Sequence, residues 1–91
     1  MSKISSDLES LVTFRDHLGT FNRTLQDDFG SMRTHWQNLG DVWSDAKYQE
    51  FGEALEDVSR GIERYLAVTD EHEVHLVRLI ETLNAYLDSS L

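Results

Sequence analysis

The feature that most constrains this chain is a pair of long apolar stripes separated by a short polar segment. In residues 4–39, and again in residues 48–86, apolar side chains recur at steps of three or four. This spacing is typical of one face of a helix and not of a strand. The segment between the stripes, residues 40–45, contains Gly, Asp and Ser, which favour turns. The chain contains no proline, so neither helix has a built-in break.

These observations predict an all-α fold in a single domain, residues 1–91. We expect helix 1 over about residues 4–39, a turn over about 40–45, and helix 2 over about 46–88. Because the connection is short, the helices must form an antiparallel helical hairpin. A hairpin buries only one side of each stripe, and the chain has no cysteine to reinforce a small core. We therefore predict that two hairpins pair into a four-helix bundle, as a dimer.

The two stripes differ in regularity. The first runs through Ile4, Leu8, Leu11, Phe14, Leu18, Phe21, Leu25, Phe29, Met32, Trp36 and Leu39. The second alternates steps of three and four without a break, through Tyr48, Phe51, Leu55, Val58, Ile62, Tyr65, Thr69, His72, Leu76, Leu79, Leu83 and Tyr86. Such a repeat predicts the seam of a left-handed supercoil. Ala54, Leu66, Ile80 and Leu87 widen this stripe, so helix 2 is expected to contact more than one neighbour.

Two polar residues, Thr69 and His72, fall on the predicted seam of helix 2. A polar residue at a seam position fixes the register of the helices at some cost in stability. A histidine there would also make assembly sensitive to pH. We therefore interpret Thr69 and His72 as register residues.

The net charge of −9 limits the classes of partner. Residues 1–40 hold four basic and five acidic side chains, whereas residues 41–91 hold four basic and twelve acidic ones. This balance disfavours nucleic acid and anionic membrane surfaces, which attract Lys and Arg. The acidic second half is either a solvated helix face or a surface that steers a basic protein partner.

No catalytic pattern is present in the sequence. There is no nucleophile with a base at a useful spacing and no phosphate-binding glycine loop. Residues 70–75 combine imidazoles and carboxylates, which leaves a metal-binding helical bundle as one alternative. They lack the paired Glu-X-X-His motifs of di-iron bundles. The sequence therefore predicts a protein that is not an enzyme and needs no cofactor or metal.

Trp43 is unusual because turns seldom carry a large aromatic side chain. It packs back on its own hairpin, beside Trp36 or Leu39, or contacts a second subunit or a partner as an interface anchor, and the two roles are compatible. Asp45 is positioned to cap helix 2, with its carboxylate accepting a hydrogen bond from the backbone N–H of Lys47 or Tyr48. The candidate interface and turn residues are Phe29, Trp36, Trp43, Asp45 and Phe51.

These residues resemble the WXG superfamily, the early-secreted-antigen-like small helical hairpins with Trp-X-Gly in the turn. Trp43 stands near the middle of the chain, Ala46 follows it, and Phe51 lies eight positions further on. The chain departs from the motif at Asp45, where the family has Gly. Glycine permits a left-handed turn residue, whereas Asp caps the next helix. Gly40 is expected to supply the backbone freedom instead.

The resemblance implies a bacterial protein–protein interaction module that acts as an adaptor, a chaperone or a structural subunit. Its partner would be itself or a paralogous hairpin. Members exported by type VII secretion carry Tyr-X-X-X-Asp/Glu after the second helix, but Ser90 stands at that spacing from Tyr86. We therefore expect a cytoplasmic protein. The alternative is a secreted type VII substrate, exported without a signal peptide as a homodimer or heterodimer.

Overall fold

The structure, a computed structural model, describes residues 3–89 and consists of two helices without strands over that range. Helix α1 spans Lys3–Leu39 and helix α2 spans Ala46–Ser89. They are 37 and 44 residues long and pack as an antiparallel hairpin. The all-α hairpin prediction is confirmed, and each helix end lies within one residue of its expected position. The pairing of two hairpins stays a prediction.

The hairpin divides into two compact units. The turn unit is Asn22–Ala67 and contains the end of α1, the connection and the start of α2. The terminal unit is Met1–Phe21 with Val68–Leu91, of which residues 3–21 and 68–89 are described. Each unit therefore contains one segment of each helix.

The connection in the turn unit closes with ordinary backbone hydrogen bonds. The N–H groups of Val42 and Trp43 both donate to the carbonyl oxygen of Leu39, at 3.0 and 2.8 Å. These bonds satisfy a carbonyl that the end of a helix otherwise leaves open. No residue in the described range has a positive φ. The expectation that Gly40 supplies left-handed backbone freedom is therefore wrong, because the turn needs no such residue.

The inner face of α2 follows a strict repeat. Its buried and half-buried side chains in the turn unit are Tyr48, Leu55, Ser59, Ile62 and Leu66, with Gly52 in the same line. In the terminal unit they are Thr69, Glu73, Leu76, Ile80, Leu83 and Leu87. The steps alternate between four and three, so the supercoil period of 3.5 residues is present in this line.

Half of the predicted seam of α2 is nevertheless wrong. Tyr48, Leu55, Ile62, Thr69, Leu76 and Leu83 lie inward as expected. The alternate members Phe51, Val58, Tyr65, His72, Leu79 and Tyr86 are exposed, and the residue after each of them lies inward instead. Residues three and four positions apart both lie near the same helix face, so the apolar period fits two adjacent lines of residues. A single partner helix covers only one of these lines.

Helix α1 shows the same displacement. The predicted inner residues Phe14, Phe21, Met32 and Leu39 are exposed. Arg15 is half-buried and Asn22 is buried, one position after Phe14 and Phe21 respectively. The physical reason is the same, since α1 also has one neighbouring helix and buries one line of a wider apolar face.

Candidate functional site

An aromatic cluster in the turn unit holds the two helices together. Tyr48 of α2 is 7% exposed. Its ring stacks on that of Trp36 of α1, with centroids 4.4 Å apart and planes 13° from parallel. The Tyr48 hydroxyl donates to the carbonyl oxygen of Trp36 at 2.8 Å, and the Trp36 Nε1–H donates to the carbonyl oxygen of Tyr48 at 3.3 Å. The pair thus combines ring contact with two reciprocal hydrogen bonds.

Trp43 also belongs to this cluster. Its ring meets Tyr48 edge-on, with centroids 5.3 Å apart and an angle of 64° between the planes. This arrangement suits the quadrupoles of two aromatic rings. Of the two roles considered for Trp43, the structure shows packing on its own hairpin. The aromatic side chain that it meets is Tyr48.

Asp45 joins the turn to α2. Its Oδ1 accepts a hydrogen bond from the backbone N–H of Tyr48 at 3.1 Å, which confirms the predicted N-cap. The same oxygen accepts from the Nε1–H of Trp43 at 2.8 Å. One carboxylate oxygen therefore fixes both the first turn of α2 and the orientation of the turn tryptophan.

Two glycines make room for the cluster. A Cβ at Gly52 would collide with the indole ring of Trp36, whose Cη2 would lie at 2.7 Å. A Cβ at Gly40 would lie 2.9 Å from the Tyr48 hydroxyl oxygen. Both glycines are required by the close approach of aromatic side chains. The role of Gly52 was not predicted from the sequence, although its position one step before Leu55 in the inner line was the available signal.

The other candidate residues lie outside the cluster. Phe29 is half-buried on α1, whereas Phe51 is 43% exposed. Thr69 is buried in the inner line of α2, as a register residue requires. His72 is exposed, and its Nδ1 is 2.8 Å from the carbonyl oxygen of Val68 in the preceding turn. The placement of His72 on the seam is therefore wrong for the contact between α1 and α2.

An exposed apolar line of α2 is left uncovered by the hairpin. Its members in the turn unit are Phe51, Val58 and Tyr65, and those in the terminal unit include Leu79 and Tyr86. Successive members are separated by seven residues or by a multiple of seven residues. Exposed apolar side chains in such a line are typical of a contact surface.

Charged side chains contribute little to a chemical site. Arg33 of α1 pairs with Glu56 of α2 at 3.3 Å, but both side chains are exposed. Within residues 3–89, no three His, Asp or Glu side chains lie close enough together to hold a metal ion. Across the same residues, neither helix combines the length and the apolar character that crossing a bilayer requires. Ser90, at the position of the type VII motif, lies outside the described residues.

In comparisons with protein-family models, with curated proteins and with solved structures, nothing matches this chain significantly.

Proposed function

We propose that this chain is a non-enzymatic protein–protein interaction module that associates through its exposed apolar surface. Its partner is a second copy or a paralogous hairpin. Its role is that of a WXG-like adaptor, chaperone or structural subunit of a bacterial assembly. The observation that carries the proposal is the surplus of apolar surface that the hairpin leaves uncovered.

The total surface area of the chain supports association. The chain exposes 6940 Å² at a mass of 10.5 kDa. A globular monomer of that mass exposes about 5,400 Å². The difference, about 1,500 Å², exceeds the roughly 800 Å² that each partner contributes to an interface of standard size. This excess counts polar and apolar atoms together, and it leaves room for an interface of standard size.

The composition of the surface points the same way. Among the described residues, two apolar side chains are buried, Tyr48 and Ile80, and thirteen large apolar ones are exposed. A monomeric protein seldom exposes contiguous apolar patches larger than a few hundred Å². Burial of these side chains against a partner would supply the apolar core that two helices cannot form alone.

The resemblance to WXG hairpins supports the same role, because members of that family often act in pairs. The acidic second half of the chain suits a basic protein as a further partner, steered by charge. The metal-bundle and type VII alternatives gain no comparable support from a contact or a cluster in the described residues.

Sedimentation equilibrium across micromolar concentrations tests the proposal. We expect the average mass to rise toward twice the 10.5 kDa of the chain. Val58→Asp should shift the equilibrium toward monomer, because Val58 is 50% exposed and a charge there cannot be buried cheaply. Glu53→Gln, at an exposed position that is polar in both forms, is the matched control.

Circular dichroism on the same samples separates loss of association from loss of folding. Val58→Asp should keep the helical signal, since the side chain contributes little to the contact between α1 and α2. A folded wild-type monomer at every concentration would rule out self-association.

A further inference from the structure

We infer that α2 carries a second seam, which pairs antiparallel with the same seam of a second copy. This inference rests on the proposed function and specifies its interface. The second seam consists of Phe51, Ala54, Val58, Gly61 and Tyr65 in the turn unit and Val68, His72, His75, Leu79 and Thr82 in the terminal unit.

The spacing of the second seam supports its role. Its members alternate steps of three and four, as the inner line of α2 does. A line with this period stays in contact with a second helix over several turns. The first line is covered by α1, whereas Phe51, Val58 and Val68 on the second are 43%, 50% and 53% exposed.

The distribution of charge separates this line from the rest of the helix. Helix α2 contains four Lys or Arg and ten Asp or Glu residues, and none of them falls on the second seam. The equivalent line of α1 in the turn unit is polar and exposed, and consists of Thr24, Asp28, Ser31, His35 and Asn38. In the terminal unit the same line of α1 carries the exposed Phe14 and Phe21, but it also carries Asp7. The line of α2 has no Asp, Glu, Lys or Arg in either unit, so the surface that matches it is α2 of a second copy, in a self-complementary two-fold contact.

In three of the five layers, antiparallel pairing places a large side chain opposite a small one. The layers formed by one copy with the second are Phe51 with Thr82, Ala54 with Leu79, Val58 with His75, Gly61 with His72, and Tyr65 with Val68. The turn-unit half of the seam thus meets the terminal-unit half of the other copy. Alternation of large and small residues allows the two helices to approach closely.

The charged residues beside the seam select this register. A line of charged side chains flanks the seam on one side. Its members immediately precede Phe51, Val58, Tyr65, His72 and Leu79, and they are Glu50, Asp57, Arg64, Glu71 and Arg78. In the register above, Arg64 faces Glu71 of the second copy, and Asp57 faces its Arg78. The two-fold axis repeats each attractive pair.

The neighbouring registers are penalised by the same side chains. A shift of one heptad in one direction places Asp57 opposite Glu71 of the second copy. A shift in the other direction places Arg64 opposite Arg78. Like charges in contact discriminate against wrong pairings. In the single chain Asp57 already pairs with Arg60 on the next turn of α2, so Arg64 and Glu71 give the cleaner test.

A charge swap in the full chain tests this register. Arg64→Glu and Glu71→Arg, made singly, should each weaken the dimer on the order of tenfold, because both symmetry-related pairs become repulsive. The double variant should restore the wild-type dissociation constant, since it brings opposite charges together again with the wild-type net charge. Glu53→Arg, with the same change in charge away from the seam, should have little effect.

Cysteine crosslinking provides an independent measurement, because the chain has no native cysteine. A mixture of the Ala54→Cys and Leu79→Cys chains should form a disulfide-linked dimer under mild oxidation, and either chain alone should form far less. Geometry requires the two Cα atoms to lie within about 7 Å.

The outcomes distinguish this inference from the proposed function. If the single substitutions leave the dissociation constant unchanged, or the double substitution does not restore it, the second seam is overturned. The proposed function as an interaction module then still stands. A chain that stays monomeric at all concentrations overturns the second seam and also the pairing with a second copy in the proposed function.

Discussion

At the residue scale, the turn depends on one oxygen of Asp45, which accepts from the Tyr48 N–H and from the Trp43 indole. Asp45→Ala removes both bonds and should lower the free energy of unfolding by about 1–2 kcal/mol. Asp45→Asn keeps a side-chain oxygen that caps equally well, so it should remain close to wild type. Urea denaturation followed by circular dichroism measures both. An alanine variant as stable as wild type would contradict the shared-acceptor role.

Also at this scale, Gly52 provides the space for the indole of Trp36. Gly52→Ala should reduce stability by about 1–3 kcal/mol through overpacking, even though alanine favours helix. Gly30→Ala is the matched control, because a Cβ there meets nothing within 4 Å. It should raise stability by about 0.5–1 kcal/mol. Equal gains in thermal melts of the two variants would show that the cluster tolerates a methyl group.

At the element scale, the two lines of α2 predict different costs for adjacent residues. Ile80 is 5% exposed and Leu79 is on the second seam. Ile80→Ala should therefore cost about 2–4 kcal/mol of unfolding free energy. Leu79→Ala should cost under about 1 kcal/mol at low protein concentration. Denaturant titrations of the dilute chain compare the two variants. A larger loss of stability for Leu79→Ala would show that Leu79, and not Ile80, faces α1.

The same two lines show how far the sequence could predict the structure. Helix bounds followed from the apolar period and from the polar turn, and the Asp45 cap followed from its position before α2. The choice between Leu79 and Ile80 did not, because both satisfy the period and both are apolar. That choice depends on which side of α2 faces α1, which is a tertiary property. The Trp36–Tyr48 stack was missed for the same reason, since its rings come from different helices.

At the scale of the whole molecule, exposed apolar surface links stability to concentration. If the native chain dimerises, its melting temperature should rise with protein concentration, because association stabilises only the folded state. Val58→Asp should remove most of this dependence, whereas Glu53→Gln should keep it. Thermal melts at several concentrations provide the measurement, and a wild-type melting temperature that does not change would argue against a dimer.

The placement of the tryptophans gives the chain an internal optical reporter. Both of them, Trp36 and Trp43, lie in the turn unit and contact the same tyrosine. Indole fluorescence therefore senses local opening of that unit, whereas far-ultraviolet circular dichroism averages over both. Coincident transitions by the two probes would mean that the hairpin melts cooperatively. Separate transitions would resolve the fraying of each unit in the unlabelled wild-type chain.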